Sequence, residues 1–372
     1  MPRLVVALVL LATTLAACSA QPAREEALPG FRTNTALRSI DLSELRSGGP
    51  PKDGIPAIDA PRYVSQTEAG DWLEDREPVI LLRVEDAARI YPLQILTWHE
   101  IANDTLGGVP VAVTFCPLCY AAVAFDRRID HDGEVETLSL GVSGMLRLSD
   151  MVMYDRGTET LWQQLTGEAL VGDRLGATLT QLPAQIVSFA DARESAPGAR
   201  VLSRETGHSR DYGRNPYVGY DDVDARPFLF DGEVDGRLPP MEHVVAVVQG
   251  DEAVAVSFER LRRDRVWQGT VGSASVAVIW QAGTATALGA ADIATARDRG
   301  GVGVFVPEHD GRALTLAVRD GEVRDDETGS AWSVTGEAVS GSLAGARLQA
   351  LPFHDTFAFA WLAFRPQTTV VE

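Results

Sequence analysis

Apolar residues along this chain fall in short blocks, and the blocks return at a fixed offset. Val79 to Arg83 and Val244 to Val248 are nearly continuous apolar runs of strand length. Tyr91 and Val256, 165 positions apart, lie in the block that follows each run. At that offset Val111-Ala112-Val113-Thr114-Phe115 falls on Val276-Ala277-Val278-Ile279-Trp280. A helix is expected before each of these strands: Pro92 stands at a favoured first helical position in one set, and Ser257 is a good N-cap in the other. Alternation in Leu138-Ser139-Leu140 and Leu314-Thr315-Leu316 predicts further strands. Asp155-Arg156-Gly157-Thr158 and Asp325-Asp326-Glu327-Thr328 predict turns between strands. Trp162, Thr166-Gly167-Glu168-Ala169 and Pro197 return as Trp332, Thr335-Gly336-Glu337-Ala338 and Pro366. Ser188 and Asp355 are expected to cap short helices that end before those prolines. Ser65-Gln66-Thr67-Glu68 has capping-box spacing, so a short helix is expected through Trp72.

Short strands with few helices predict a β-rich α+β fold, built as two tandem, pseudo-symmetric repeats of one unit. Unit one spans 51–203, its first apolar strand near Val79, and unit two spans 244–372. Between them, 204–243 is rich in Gly, Tyr, Arg and Asp and belongs to neither repeat. Residues 18–50 read as a polar tether ending in Gly48-Gly49-Pro50-Pro51.

Composition fits an ordinary globular body: 372 residues, 45% hydrophobic and 23% charged. The formal charge of −19 disfavours nucleic acid and anionic lipid surfaces as partners. The N-terminus changes the picture of where that body sits. Arg3 precedes an apolar stretch from Leu4 to Ala17, too short to span a bilayer as a folded helix, so residues 1–17 read as a secretory signal. Leu15-Ala16-Ala17-Cys18 has the form of a bacterial lipobox. A lipid on Cys18 would anchor the protein to a membrane on the periplasmic side of the cell envelope. Ser19 favours the outer membrane in a Gram-negative cell.

The differences between the repeats locate the chemistry. Cys116 and Cys119 meet Gln281 and Thr284 in the second copy, and His99 and Glu100 meet Asp264 and Arg265. If copy two keeps the fold without these four residues, the fold does not need them. The Cys-Pro-Leu-Cys run follows an apolar strand directly, and three readings stay open. Two thiolates with the His99 imidazole would suit copper or zinc, with Glu100 orienting His99 from behind, for metal handling or delivery to a partner protein. The same cysteines could form a thiol–disulfide oxidoreductase, the only reading in which the protein is an enzyme. They could also be a structural disulfide or inert thiols in a non-catalytic envelope scaffold. A thioredoxin fold is disfavoured, because Tyr120 to Phe125 is short and Ala/Val-rich, its counterpart 285–288 looks like a strand, and the βαβ setting is absent. Met145, Met151 and Met153 invite a copper reading, but Met151 and Met153 alternate with Val152 as one core face would. His208, Tyr212, Tyr217 and Tyr220 lie in the inter-unit segment, as linker or as part of a site.

Several strings occur together in order: GGPPKDGIPAID from residue 48, TFCPLC, VMYDRGTETLW, RDYGRNPY and the closing FAFAWLAFRPQT. With them the chain resembles the bacterial domain of unknown function 3179 family over roughly 45–372. In that family the cysteine pair is commonly followed by Gly, where this chain has Tyr120. The resemblance implies a secreted or lipid-anchored bacterial protein and carries no established activity.

Overall fold

A computed structural model describes residues 28–131 and 133–372. The expected signal peptide and Cys18 lie outside the described residues. The fold is β-rich α+β, with short helices set between sheets that are mostly antiparallel. The first apolar run becomes strand Pro78–Val84, buried on both faces apart from Arg83, which explains why its sequence does not alternate. It hairpins into Ala87–Pro92, and a seven-residue helix, Leu93–His99, follows at once. Pro92 is the N-cap of that helix with extended backbone, not its first helical residue, because the strand pairs right up to it. Ile101–Leu106, Val109–Cys116 and Ala121–Asp126 then form a meander.

In the 243–372 part the elements come in the same sequence. Strands His243–Gln249 and Glu252–Ser257 lead into helix Phe258–Asp264, capped by the Ser257 hydroxyl, which accepts from the Arg260 amide. Strands Val266–Val271 and Ala274–Gln281 follow. The next strand is Gly301–Val306, so residues 285–288 are not the counterpart strand that a constant offset implies. An extra segment, 282–300, sits there instead and contains only a 3-10 turn, Ile293–Thr295. The second capping expectation also fails. Ser188 caps Phe189–Ser195 through the Asp191 amide, but helix Ala358–Phe364 starts after Phe357 with no side-chain cap. Asp355 lies in the preceding strand and pairs with buried Arg299.

Apolar packing does not respect the boundary between the parts. The largest core joins Ile80, Phe115, Trp162 and Leu202 to Val244, Phe357 and Trp361. A second joins Val79, Leu81 and Phe189 to Ile279, Phe305 and Trp332. The described end of the expected tether is likewise part of the body: Leu42 is buried, and Arg46–Ser47 pairs with Leu146 and Met145. Strand pairing and apolar burial there hold the chain where polar composition predicted a loose linker. The inter-unit segment has no regular element from 203 to 242. Among the described residues no helix is long and apolar enough to cross a membrane.

Candidate functional site

The cysteines sit on the hairpin between Val109–Cys116 and Ala121–Asp126, where Cys116 pairs with Ala121. Pro117 to Tyr120 form the turn, closed by the Tyr120 amide donating to the Pro117 carbonyl at 3.2 Å. No helix starts there, so no helix dipole lowers either thiol's pKa. Tyr120 takes φ 52°, a left-handed conformation that costs a bulky residue of order 1–3 kcal/mol. Residues far along the chain hold it: its hydroxyl accepts from the Ala287 amide at 2.9 Å, and the Arg299 guanidinium lies 4.7 Å from its ring centroid. The Leu118 carbonyl accepts from the Tyr220 hydroxyl at 3.0 Å.

Both cysteines are free and buried. Their sulfurs and a carboxylate oxygen of Asp150 all lie within 4.8 Å of one another. Asp150 opens strand Asp150–Asp155 after a tight hairpin in which Leu148 and Ser149 both have positive φ. One carboxylate oxygen, Oδ2, accepts from Gln163 Nε2 at 2.6 Å and from the Leu165 amide at 2.9 Å. The other, Oδ1, is buried and makes no hydrogen bond. The Cys116 thiol donates to the Ser149 carbonyl at 3.9 Å, and both thiols lie against the Asp150 carboxylate, which they help to keep ionised.

Glu100 completes the surroundings. It ends helix Leu93–His99 at φ 58°, and its carbonyl accepts from the Phe115 amide, tying the helix end to the cysteine strand. Its side chain lines a cavity of about 70 Å³ together with Cys116, Met145, Met151, Leu118 and Tyr217. Burial raises the Glu100 carboxyl to about 8, with Asp150 adding to the shift. Burial raises Asp150 to about 6, its hydrogen bonds from Gln163 and Leu165 pulling the other way. Burial also pushes Cys116 up, and Cys119 well up. At neutral pH the two thiols and Glu100 therefore hold protons that a bound cation could displace, whereas Asp150 is mostly ionised.

Residues 52–368 match the family described as Protein of unknown function (DUF3179). The chain belongs to that family. No curated protein and no solved structure matches it. In this DUF3179 chain the left-handed backbone at Tyr120 gives a physical reason for glycine to be favoured after the cysteine pair.

The expected ligand set Cys116, Cys119 and His99 is not assembled. His99 is buried, but Nδ1 is 2.7 Å from the Pro56 carbonyl and Nε2 is 2.6 Å from the Tyr212 hydroxyl. Burial lowers its pKa to about 4, so it is neutral with both nitrogens engaged. Glu100 does not orient it: consecutive residues at a helix end point different ways, and Glu100 turns into the cysteine cavity. Met145 and Met151 line that cavity, whereas Met153 is buried in the core. Asp150 is the residue that sequence reasoning missed. Its one local signal is an acid opening an otherwise apolar strand, Asp150-Met151-Val152-Met153.

Proposed function

We propose that this DUF3179 protein binds a soft cation, Cu(I) or Zn(II), through Cys116, Cys119 and Asp150, in metal handling rather than catalysis. The observation that carries this reading is the convergence of two thiols on a buried carboxylate whose Oδ1 has no partner. An orphaned buried oxygen costs roughly 1–3 kcal/mol, and a cation would remove that cost. Two soft sulfurs and one oxygen suit these ions, and the Met145 and Met151 thioethers beside them favour copper. The oxidoreductase reading draws on the same sulfur proximity. It is weakened by burial and by raised thiol pKa values, which make a poor nucleophile for an external partner.

We also read the chain as a duplication. The sheet on His243–Gln249 and the sheet on Pro78–Val84 share the order of an antiparallel late strand, two hairpin strands and a parallel strand, beyond which only the latter adds Tyr63–Val64. The packing is reciprocal: Ala184–Ser188 lies against Gly301–Val306, and His354–Phe357 lies against Ala121–Asp126. On the sequence of residues 15–18 we place the protein in the cell envelope, anchored through lipid on Cys18 and passing its ion to a protein partner.

Titrating the reduced full chain with Cu(I) and Zn(II) against a chromophoric chelator tests the cation reading. About one ion per chain is expected for such a site, with binding abolished in Cys116→Ser and Cys119→Ser. No uptake of either ion by the reduced wild type would end it. Cys18→Ala should move the protein from the membrane to the soluble fraction, and its continued sedimentation with membranes would refute the anchor.

A further inference from the structure

The cysteine cavity adjoins a second, wider space on the surface. That cleft, about 500 Å³, is lined by Thr97, Trp98, Ser209, Arg210 and Asp211. Two residues, Tyr217 and Ile55, line both the cleft and the inner cavity of about 70 Å³. Tyr217 comes from the 204–243 segment, which belongs to neither repeat. Its backbone is pinned: the Tyr217 amide donates to Asn215 Oδ1 at 2.7 Å, and Asn215 is held by the carbonyls of Ala290 and Ala291. Tyr217 lines the inner cavity together with Glu100 and Cys116. Its ring packs against the main core, but its hydroxyl makes no hydrogen bond among the described residues. The neighbouring Tyr220 differs, because its hydroxyl donates to the Leu118 carbonyl and accepts from the Phe228 amide. A fixed backbone carrying an aromatic ring held by apolar packing alone, with no polar anchor, can open a path between two spaces by side-chain rotation, without unfolding the turn.

We propose that Tyr217 is the closure between the outer cleft and the cysteine cavity, which makes the cleft the port through which the cation reaches Cys116. The cleft has room for an ion still held by a small polar carrier, while the inner cavity takes the ion without it. This assignment deepens the cation-binding reading and rests on it for the identity of what passes. The geometry of the port can be tested without any metal.

The test measures how fast Cys116 and Cys119 react in the folded, reduced full chain with a small thiosulfonate and with a bulkier aromatic disulfide. Tyr217→Ala should speed both reactions by roughly tenfold or more, and Tyr217→Trp should slow them. Ser209→Ala alters the outer cleft at a residue that does not line the inner cavity and should leave the rates near wild type. Thermal melts confirm that each variant is folded. If the Tyr217 variants react at the wild-type rate, the port lies elsewhere on the cavity wall and the proposal is overturned. Stopped-flow Cu(I) uptake separates the two claims. Faster thiol modification in Tyr217→Ala with no Cu(I) binding in wild type would keep the port and discard the cation. Normal Cu(I) binding with unchanged uptake and modification rates in both Tyr217 variants would keep the cation and discard the port.

Discussion

The hydroxyl of Thr356 donates to the main-chain carbonyl of Cys119 at 2.7 Å, across 237 positions of chain. The Phe357 amide donates to the same oxygen at 3.0 Å. The reactive turn of the first part is thus held by a strand, His354–Phe357, from the last part. This gives the second part a role although it lacks cysteines: it supplies fixed donors to a loop that also carries a left-handed tyrosine.

Thr356→Val removes the hydroxyl donor with little change of volume. A cost of about 1 kcal/mol in urea unfolding is expected, since the Phe357 amide still satisfies the carbonyl. Cu(I) affinity should fall as well, because the Cys119 sulfur is less well positioned. An affinity equal to wild type would show that the turn keeps its geometry without this contact.

Asp150→Asn and His99→Ala separate the two ligand sets. Asp150→Asn should weaken Cu(I) or Zn(II) binding by about tenfold or more, equivalent to 1.4 kcal/mol. His99→Ala should leave affinity within about twofold. It should still cost roughly 1–3 kcal/mol of stability, because it strips the Pro56 carbonyl of its partner and leaves the Tyr212 hydroxyl only Thr206. The opposite ranking in a chelator competition would restore His99 as the ligand.

Asp155 and Asp325 make the same turn contacts but have different neighbours. Each accepts the indole N–H of a buried tryptophan, Trp162 at 3.1 Å and Trp332 at 2.9 Å. Only Asp155 also holds a buried arginine, Arg174, at 3.0 Å. Asp325→Ala should therefore cost about 1–3 kcal/mol. Asp155→Ala should cost about 3–5 kcal/mol, because it leaves the Arg174 charge short of a partner. Equal costs in chemical denaturation would mean that Arg174 is satisfied by Glu136 alone.

Stability should fall as pH rises from about 4.5 to 7, in part through Glu77. Burial raises this carboxyl to about 7, although it accepts from the Glu74 amide and from Gln94. Between the unfolded and folded values the native state holds a proton that the unfolded chain has lost, so each step up in pH favours unfolding. The slope is at most about 1.4 kcal/mol per pH unit for one group. Buried His354, lowered to about 3, works in the opposite sense: the unfolded chain takes up its proton as pH drops below about 6.5. Above pH 6.5 the histidine contribution is spent, and the fall through Glu77 is joined by that through Glu100, raised to about 8. Glu77→Gln should flatten the melting-temperature profile between pH 6 and 8, and an unchanged slope would assign the pH dependence to other buried acids.

Much of the local structure was legible in the residues. Ser65, Ser188 and Ser257 cap helices as their spacing implies, because a hydroxyl three positions before an amide needs no tertiary help. The strands at 78–84, 109–116, 243–249 and 274–281 follow from apolar runs too long and too β-branched to stay exposed. The pairing of Asp155 with Trp162 and of Asp325 with Trp332 also spans a few residues, within reach of a turn. Comparing the two halves of the sequence singled out Cys116, Cys119, His99 and Glu100; of these, Glu100 and Cys116 line one cavity, and Cys119 lies beside Cys116.

Which carboxylate or imidazole meets the sulfurs was decided only in three dimensions. His99 and Glu100 are neighbours in sequence, yet one bonds Pro56 and Tyr212 while the other lines the cysteine cavity. Asp150 reaches the site because two hairpins from separate sheets pack edge to edge in one core, and no spacing along the chain encodes that meeting. The 282–300 segment broke the constant offset for the same reason: its length is set by what it covers, Tyr120 and the 215–219 turn. Local hydrogen bonding and apolar periodicity act over a few residues and are written in the sequence by itself. The approach of distant side chains is set by how whole sheets minimise exposed apolar surface, which only the folded chain resolves.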